Sequence, residues 1–332
     1  MRLFQPAPAE QRPLRPVDQR PEKPGHDELL LRVAACAVCR TDLQIVEGDL
    51  PSRGLPITPG HQAVGVVEKL GAGVTAWEVG ERAGMGWLAS TCGSCGFCER
   101  GRENLCQQAT FTGWDRDGGF AGFITVRSDF AIKLPEHFDA ISAAPLLCGG
   151  VIGYRALRLS GIEPGQRLGL FGFGASARLA MQVAMHWGCR VYVCTRAIAD
   201  QQRARESGAA WVGGYDDSLP DSLDAAVTFA PAGSVVLSAL RALRPGASVA
   251  INAIHLDRVP EFPYELLWQE RAIRSVANYT RADAGEFLKL AQEIPIETLV
   301  EPYDLAEANE ALLALKEGRL SGAAVLTYAD NH

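Results

Sequence analysis

The stretch RLGLFGFGASARLAMQVAMHWG, residues 167–188, constrains this chain most. The apolar run Leu168–Phe171 leads into Gly172-Phe-Gly174-Ala-Ser-Ala177. The next segment places Leu179, Ala180, Val183, Ala184 and Trp187 on one helical face. Strand, glycine turn and helix in that order fit the dinucleotide fingerprint G-x-G-x-x-A, with alanine in its third place. Gly172 permits the tight turn, and Gly174, with Ala175 after it, lets a pyrophosphate approach the backbone where Ser176 opens the helix. Further short apolar runs follow at Val191–Cys194, Ala225–Phe229, Ser248–Asn252 and Ile273–Ala277, interleaved with helical segments. That alternation predicts a doubly wound parallel sheet in an α/β fold. The second strand ends in Thr195-Arg196 with no acid. An acid there would bind the ribose 2′-hydroxyl of NAD, whereas arginine accommodates a 2′-phosphate, so NADP is preferred over NAD.

The residues before this unit read differently. Glu28–Ala34 and Ala63–Lys69 are short apolar runs set off by glycine and proline turns, with little helical periodicity up to residue 135. They predict a partly open β-barrel. At 332 residues the chain exceeds one ordinary core. It divides into residues 1–150 and 151–280, with 281–332 completing the first domain through a strand-like end at Ala323–Tyr328.

Nine cysteines, an odd number, and an N-terminus Met1–Pro24 without an apolar core argue against a secreted disulfide framework. A reducing, cytoplasmic location is the expectation. Cys92, Cys95, Cys98 and Cys106 form C-x2-C-x2-C-x7-C, a spacing whose tight turns let four thiolates converge on one ion. Four sulfurs close a tetrahedral zinc site, which is then structural, and the same set can hold an iron–sulfur cluster. Cys39, His61 and Cys148 lie far apart, and each alone reads as a core or hydrogen-bonded residue. Together they supply the Cys2His set of an open, catalytic zinc site, so two zinc ions per chain are expected. The net charge of −7 points to no nucleic acid or anionic membrane, and no uninterrupted apolar run reaches about 18 residues.

The segments CAVCRTDLQIVEGDLP, TPGHQAVGVVEKLGAGV, the four-cysteine lobe, AAPLLCGGVIGYRAL and GFGASARLAMQVA resemble the zinc-containing medium-chain alcohol dehydrogenases. The resemblance runs from about Leu29 to Tyr328. It implies a GroES-like domain, a Rossmann domain and an active site between them. It also implies catalytic zinc on Cys39, His61 and Cys148, and structural zinc on the cysteine lobe. By the same resemblance Thr41 begins a proton relay beside the substrate oxygen, and Asp42 orients His61. Arg40 meets the cofactor pyrophosphate, and Trp87 narrows the pocket in the manner of members acting on short alcohols. Two positions depart from the family: Gln62 stands where glutamate is common, and Gln44 where the relay often ends in histidine. Neither removes the zinc or the hydride path. The expected substrate is a small primary or secondary alcohol, or its aldehyde or ketone, handled by a homodimer or homotetramer. A sibling polyol, formaldehyde or aromatic-alcohol oxidation is the nearest alternative. A zinc-stabilised nucleotide-binding protein without activity is the alternative of another class.

Overall fold

Between residues 149 and 277 the apolar runs pair as six parallel strands: Arg167–Phe171, Arg190–Cys194, Trp211–Gly213, Leu223–Thr228, Leu243–Ile251 and Ala272–Ser275. In spatial order they run third, second, first, fourth, fifth, sixth. Leu168, Leu170, Phe171, Tyr192, Val193, Ala225, Ala226 and Val227 are all at 0% exposure, as expected of strands with both faces covered. The strand order reverses between the first and fourth strands, where open α/β sheets bind ligands beyond their carboxyl ends. Gly172 sits there at φ 96°, and a Cβ on it would lie 2.9 Å from the Ala230 nitrogen. Helix Ala175–His186 then starts from Gly174 as its N-cap. The strand Trp211–Gly213 is an addition to the sequence expectation. Three residues carry too little alternation to register as a strand.

This computed structural model describes residues 1–254 and 256–328. It forms two compact units, Gly149–Ala277 and Met1–Cys148 with the segment from Asn278 onward. Positions 329–332, counted in the expected first domain, lie outside the described residues. The first unit is built on Glu28–Ala37, which takes Ala63–Leu70 along one edge. Its other edge is shared between Phe123–Arg127 at its start and Ala323–Thr327 at its end. Arg82–Met85 and Ile132–Lys133 extend the sheet on one side, and Val300–Asp304 extends it on the other. Register shifts between Leu30 and Leu31 and between Val33 and Ala35 mark irregularities of the kind that bend a strand. Most pairs are antiparallel; Val300–Asp304 with Ala323–Thr327 is parallel.

The largely helical stretch Ala140–Ser160, turned at Cys148, has the length and hydropathy of a membrane span, yet 56% of its apolar window is buried within the protein. It is a core helix.

Candidate active site and metal centres

Cys39 ends the extended segment after Glu28–Ala37 and caps helix Arg40–Glu47. Its sulfur accepts the Thr41 N–H at 3.4 Å, and its own N–H donates to Asp42 Oδ2 at 2.9 Å. A sulfur acceptor and a reciprocal carboxylate thus satisfy two of the backbone donors at the helix start. Asp42, at 0% exposure, also accepts the Gly60 N–H at 3.1 Å and lies 3.0 Å from His61 Nδ1. That contact turns His61 Nε2 toward the Cys39 sulfur, 3.3 Å away. Cys148 completes the group, and its three ligand atoms lie within 4.8 Å of one another.

A hydrogen bond from Cys148 holds the Cys39 thiol well below its ordinary range, against the effect of burial. The same bond, with burial, holds Cys148 well above it. Burial disfavours a charged His61, but Asp42 and then Cys39 outweigh it and raise the imidazole. Burial also raises Asp42. Without a cation, the buried donors must therefore share protons to limit their charge. A divalent ion that takes the place of those protons is the fitting occupant of two sulfurs and one imidazole.

The second cluster gathers Cys92, Cys95, Cys98 and Cys106. Its sulfurs are unbridged, with separations of 3.5 Å for Cys106–Cys92, 3.6 Å for Cys95–Cys98 and 3.9 Å for Cys92–Cys98. Four thiolates on a tetrahedral zinc at about 2.3 Å stand about 3.8 Å apart, so the lobe already has the size of that site. Backbone N–H groups of Ser94 and Cys95 point at Cys92 and lower its thiol to about 6, whereas burial raises Cys98 to about 11. Glu103, on the loop between the last two cysteines, receives Arg281 Nη2 at 2.7 Å and the Arg281 N–H at 2.8 Å.

The remaining expected positions are placed as follows. Thr41 is buried and Arg40 exposed at the start of the helix. Gln44 is buried, and its Oε1 has no hydrogen-bond partner among the described residues. Gln62 is buried with Nε2 3.5 Å from the Ala37 carbonyl. In the other unit Thr195 is buried and held by its N–H to the Gly213 carbonyl, and Arg196 is exposed with its guanidinium 5.9 Å from the Tyr215 ring.

Trp87 meets His61 edge-on, with ring centroids 4.9 Å apart. No sequence signal indicates that Phe111 and Trp114 stack on Trp87, at 5.2 and 5.9 Å, or that Arg53 lies 3.8 Å above Trp114. Those contacts come from the fold of the loops, and no local spacing encodes them.

A closed thiolate cluster, an open thiolate–imidazole cluster and a glycine turn at the switch point of a parallel sheet define a zinc- and nicotinamide-dependent dehydrogenase. The alcohol dehydrogenase GroES-like domain matches residues 25–136. A probable alcohol dehydrogenase AdhA of Mycobacterium tuberculosis (strain CDC 1551 / Oshkosh) is 46% identical over 327 residues, spanning 97% of this chain and 94% of that one. An alcohol dehydrogenase of Geobacillus stearothermophilus is 32% identical over 316 residues, spanning 92% and 94%. Among solved structures, a cinnamyl alcohol dehydrogenase of Sorghum bicolor superposes with a TM-score of 0.88 at 25% identity, covering 98% of this chain and 97% of that one. The chain belongs to the medium-chain zinc alcohol dehydrogenase family. It is an oxidoreductase with two zinc sites, one catalytic and one structural, and a nicotinamide cofactor.

Proposed function

We propose that the chain interconverts a small primary or secondary alcohol and its carbonyl compound at Cys39, His61 and Cys148, with NADP preferred over NAD. The observation that carries this reading is the convergence of those three side chains within 4.8 Å, with Asp42 behind His61. When bound, zinc supplies a Lewis acid for the substrate oxygen, and the nicotinamide exchanges a hydride with the substrate carbon. Asp42 fixes the imidazole tautomer by accepting from Nδ1, which leaves Nε2 as the donor atom. Thr41 Oγ1, in the first turn of the helix that Cys39 caps, takes the alcohol proton and passes it outward. Trp87 limits the substrate's size beside His61. Gly172, Gly174, Ala175 and Ser176 receive the pyrophosphate at the helix N-terminus. A cytoplasmic homodimer or homotetramer is part of the same proposal.

Gln44 cannot carry a proton near neutral pH, so the relay has no titrating end at this position and the final proton leaves through water or another group. Gln44→His adds an imidazole with an ordinary pKa of about 6.5. Alcohol oxidation should then quicken as pH rises through that value, where the neutral ring accepts a proton. Carbonyl reduction should quicken as pH falls through it. Superimposable pH–rate profiles for the two proteins would remove position 44 from the relay.

Cofactor choice rests on Thr195 and Arg196. A carboxylate at this strand end would repel a 2′-phosphate, whereas guanidinium–phosphate pairing is charge-assisted. At an exposed Arg196 this supports a preference of some tens-fold, or about 2 kcal/mol. Thr195→Asp combined with Arg196→Ala should move kcat/KM toward NAD. A wild-type protein that prefers NAD would make Arg196 an ordinary surface residue. A panel of alcohols and carbonyl compounds, each run with both cofactors, tests the activity and ranks the substrates.

A further inference from the structure

Tyr279 belongs to neither thiolate cluster, yet it is 3% exposed beside the open one. The backbone N–H groups of Trp87 and Leu88 lie on the side of its hydroxyl and favour negative charge there, though burial outweighs them. Burial raises the phenol's pKa, so the hydroxyl stays neutral. A Cβ built on Gly86 would lie 1.6 Å from that hydroxyl oxygen, 2.8 Å from the ring carbon bearing it and 3.1 Å from the Leu147 carbonyl. The phenol therefore fills the side-chain space that Gly86 leaves open, against the residue preceding Cys148.

The chain around Tyr279 has little freedom. Asn278 takes φ 55°, a left-handed conformation that asparagine tolerates better than most residues. Thr280 and Asp283 close a capping box at the start of helix Arg281–Glu293. Arg281 is held by Glu103. A ring fixed on both sides by its own backbone can act as a template for what packs against it.

We infer that Tyr279 is a positioning residue of the reacting centre, one that sets the Gly86–Leu88 segment, and with it the Trp87 wall, against the Leu147–Cys148 turn. Trp87 carries the position onward, because its ring meets His61 at 4.9 Å. One phenol thus reaches toward the pocket wall and toward two of the three metal-binding side chains. The inference rests on the assignment of Cys39, His61 and Cys148 proposed above.

Tyr279→Phe keeps the ring and removes the hydroxyl that fills the side-chain space of Gly86. Outer residues that orient metal ligands are worth about 10- to 100-fold, so kcat should fall about tenfold. The ratio of kcat/KM for benzyl alcohol over ethanol should rise several-fold as the wall loosens. In cobalt-substituted protein, the thiolate-to-metal absorption should shift, and zinc in the native variant should stay at two ions per chain. Unchanged kcat, selectivity and cobalt spectrum, with only a lower Tm, would make Tyr279 a simple core residue and overturn the inference. A second pair of variants decides the matter if Tyr279→Phe does not fold. Gly86→Ala should lose most of its activity, and adding Tyr279→Leu, which removes the ring from that space, should restore much of it. Failure of the second substitution to rescue the first would contradict the matched pair. Failure of the underlying assignment shows separately, as a wild-type chain that holds no zinc at Cys39.

Discussion

Cys39→Ser is expected to lower turnover about a thousandfold, since several kcal/mol of Lewis-acid stabilisation depend on the ion and each ~1.4 kcal/mol is tenfold. The fold should survive. Serine is among the preferred N-cap residues, and the Asp42 carboxylate keeps its bond from the backbone N–H of position 39. Circular dichroism should match the wild type while the alcohol-dependent reduction of the cofactor disappears. His61→Ala should be equally inactive but less stable. It leaves Asp42, at 0% exposure, with backbone donors from Cys39 and Gly60 and no imidazole. Loss of one partner from such a buried pair costs about 3–5 kcal/mol. Normal turnover in Cys39→Ser would remove this cluster from the chemistry.

Cys95→Ala acts on the other site and should leave one zinc per chain, the catalytic one. Structural zinc contributes folding energy directly, and the lobe around it has few apolar contacts to hold it closed. The loss would spread through Glu103, whose buried carboxylate anchors Arg281 at the start of helix Arg281–Glu293. A Tm lower by about 5–10 °C is expected for a chain of this size. Two retained zinc ions and an unchanged Tm would show that the four thiolates hold no structural ion. Visible charge-transfer absorption from iron and sulfide would replace zinc with a cluster.

The four-cysteine lobe was legible in the sequence because its chemistry is carried by residue type and close spacing, whereas Cys39, His61 and Cys148, far apart, were joined only through the family resemblance. Four cysteines at two- and seven-residue spacings have few other uses, and the glycine turn stands between an apolar strand and an amphipathic helix. The parallel strands were legible for a similar reason: burial on both faces makes them continuous apolar runs. What stayed hidden depends on contacts distant in sequence. The short hairpin Arg2–Leu3 with Leu14–Arg15 and the strand Trp211–Gly213 are too brief to show a period. Phe111, Trp114 and Arg53 read as loop residues until the fold stacks them beside Trp87. Tyr279 and Gly86 are 193 positions apart, and only the structure shows that one occupies the space of the other.

Zinc content separates a working dehydrogenase from a zinc-stabilised nucleotide-binding protein, because only the enzyme has a use for Cys39, His61 and Cys148 together. The decisive measurement is elemental analysis of the purified wild-type chain beside Cys39→Ser and Cys95→Ala. Two zinc ions in the wild type and one in each variant, with activity surviving only where the Cys39 site is intact, is the expected result. One zinc in the wild type, unchanged by Cys39→Ser and lost in Cys95→Ala, would contradict an open catalytic site.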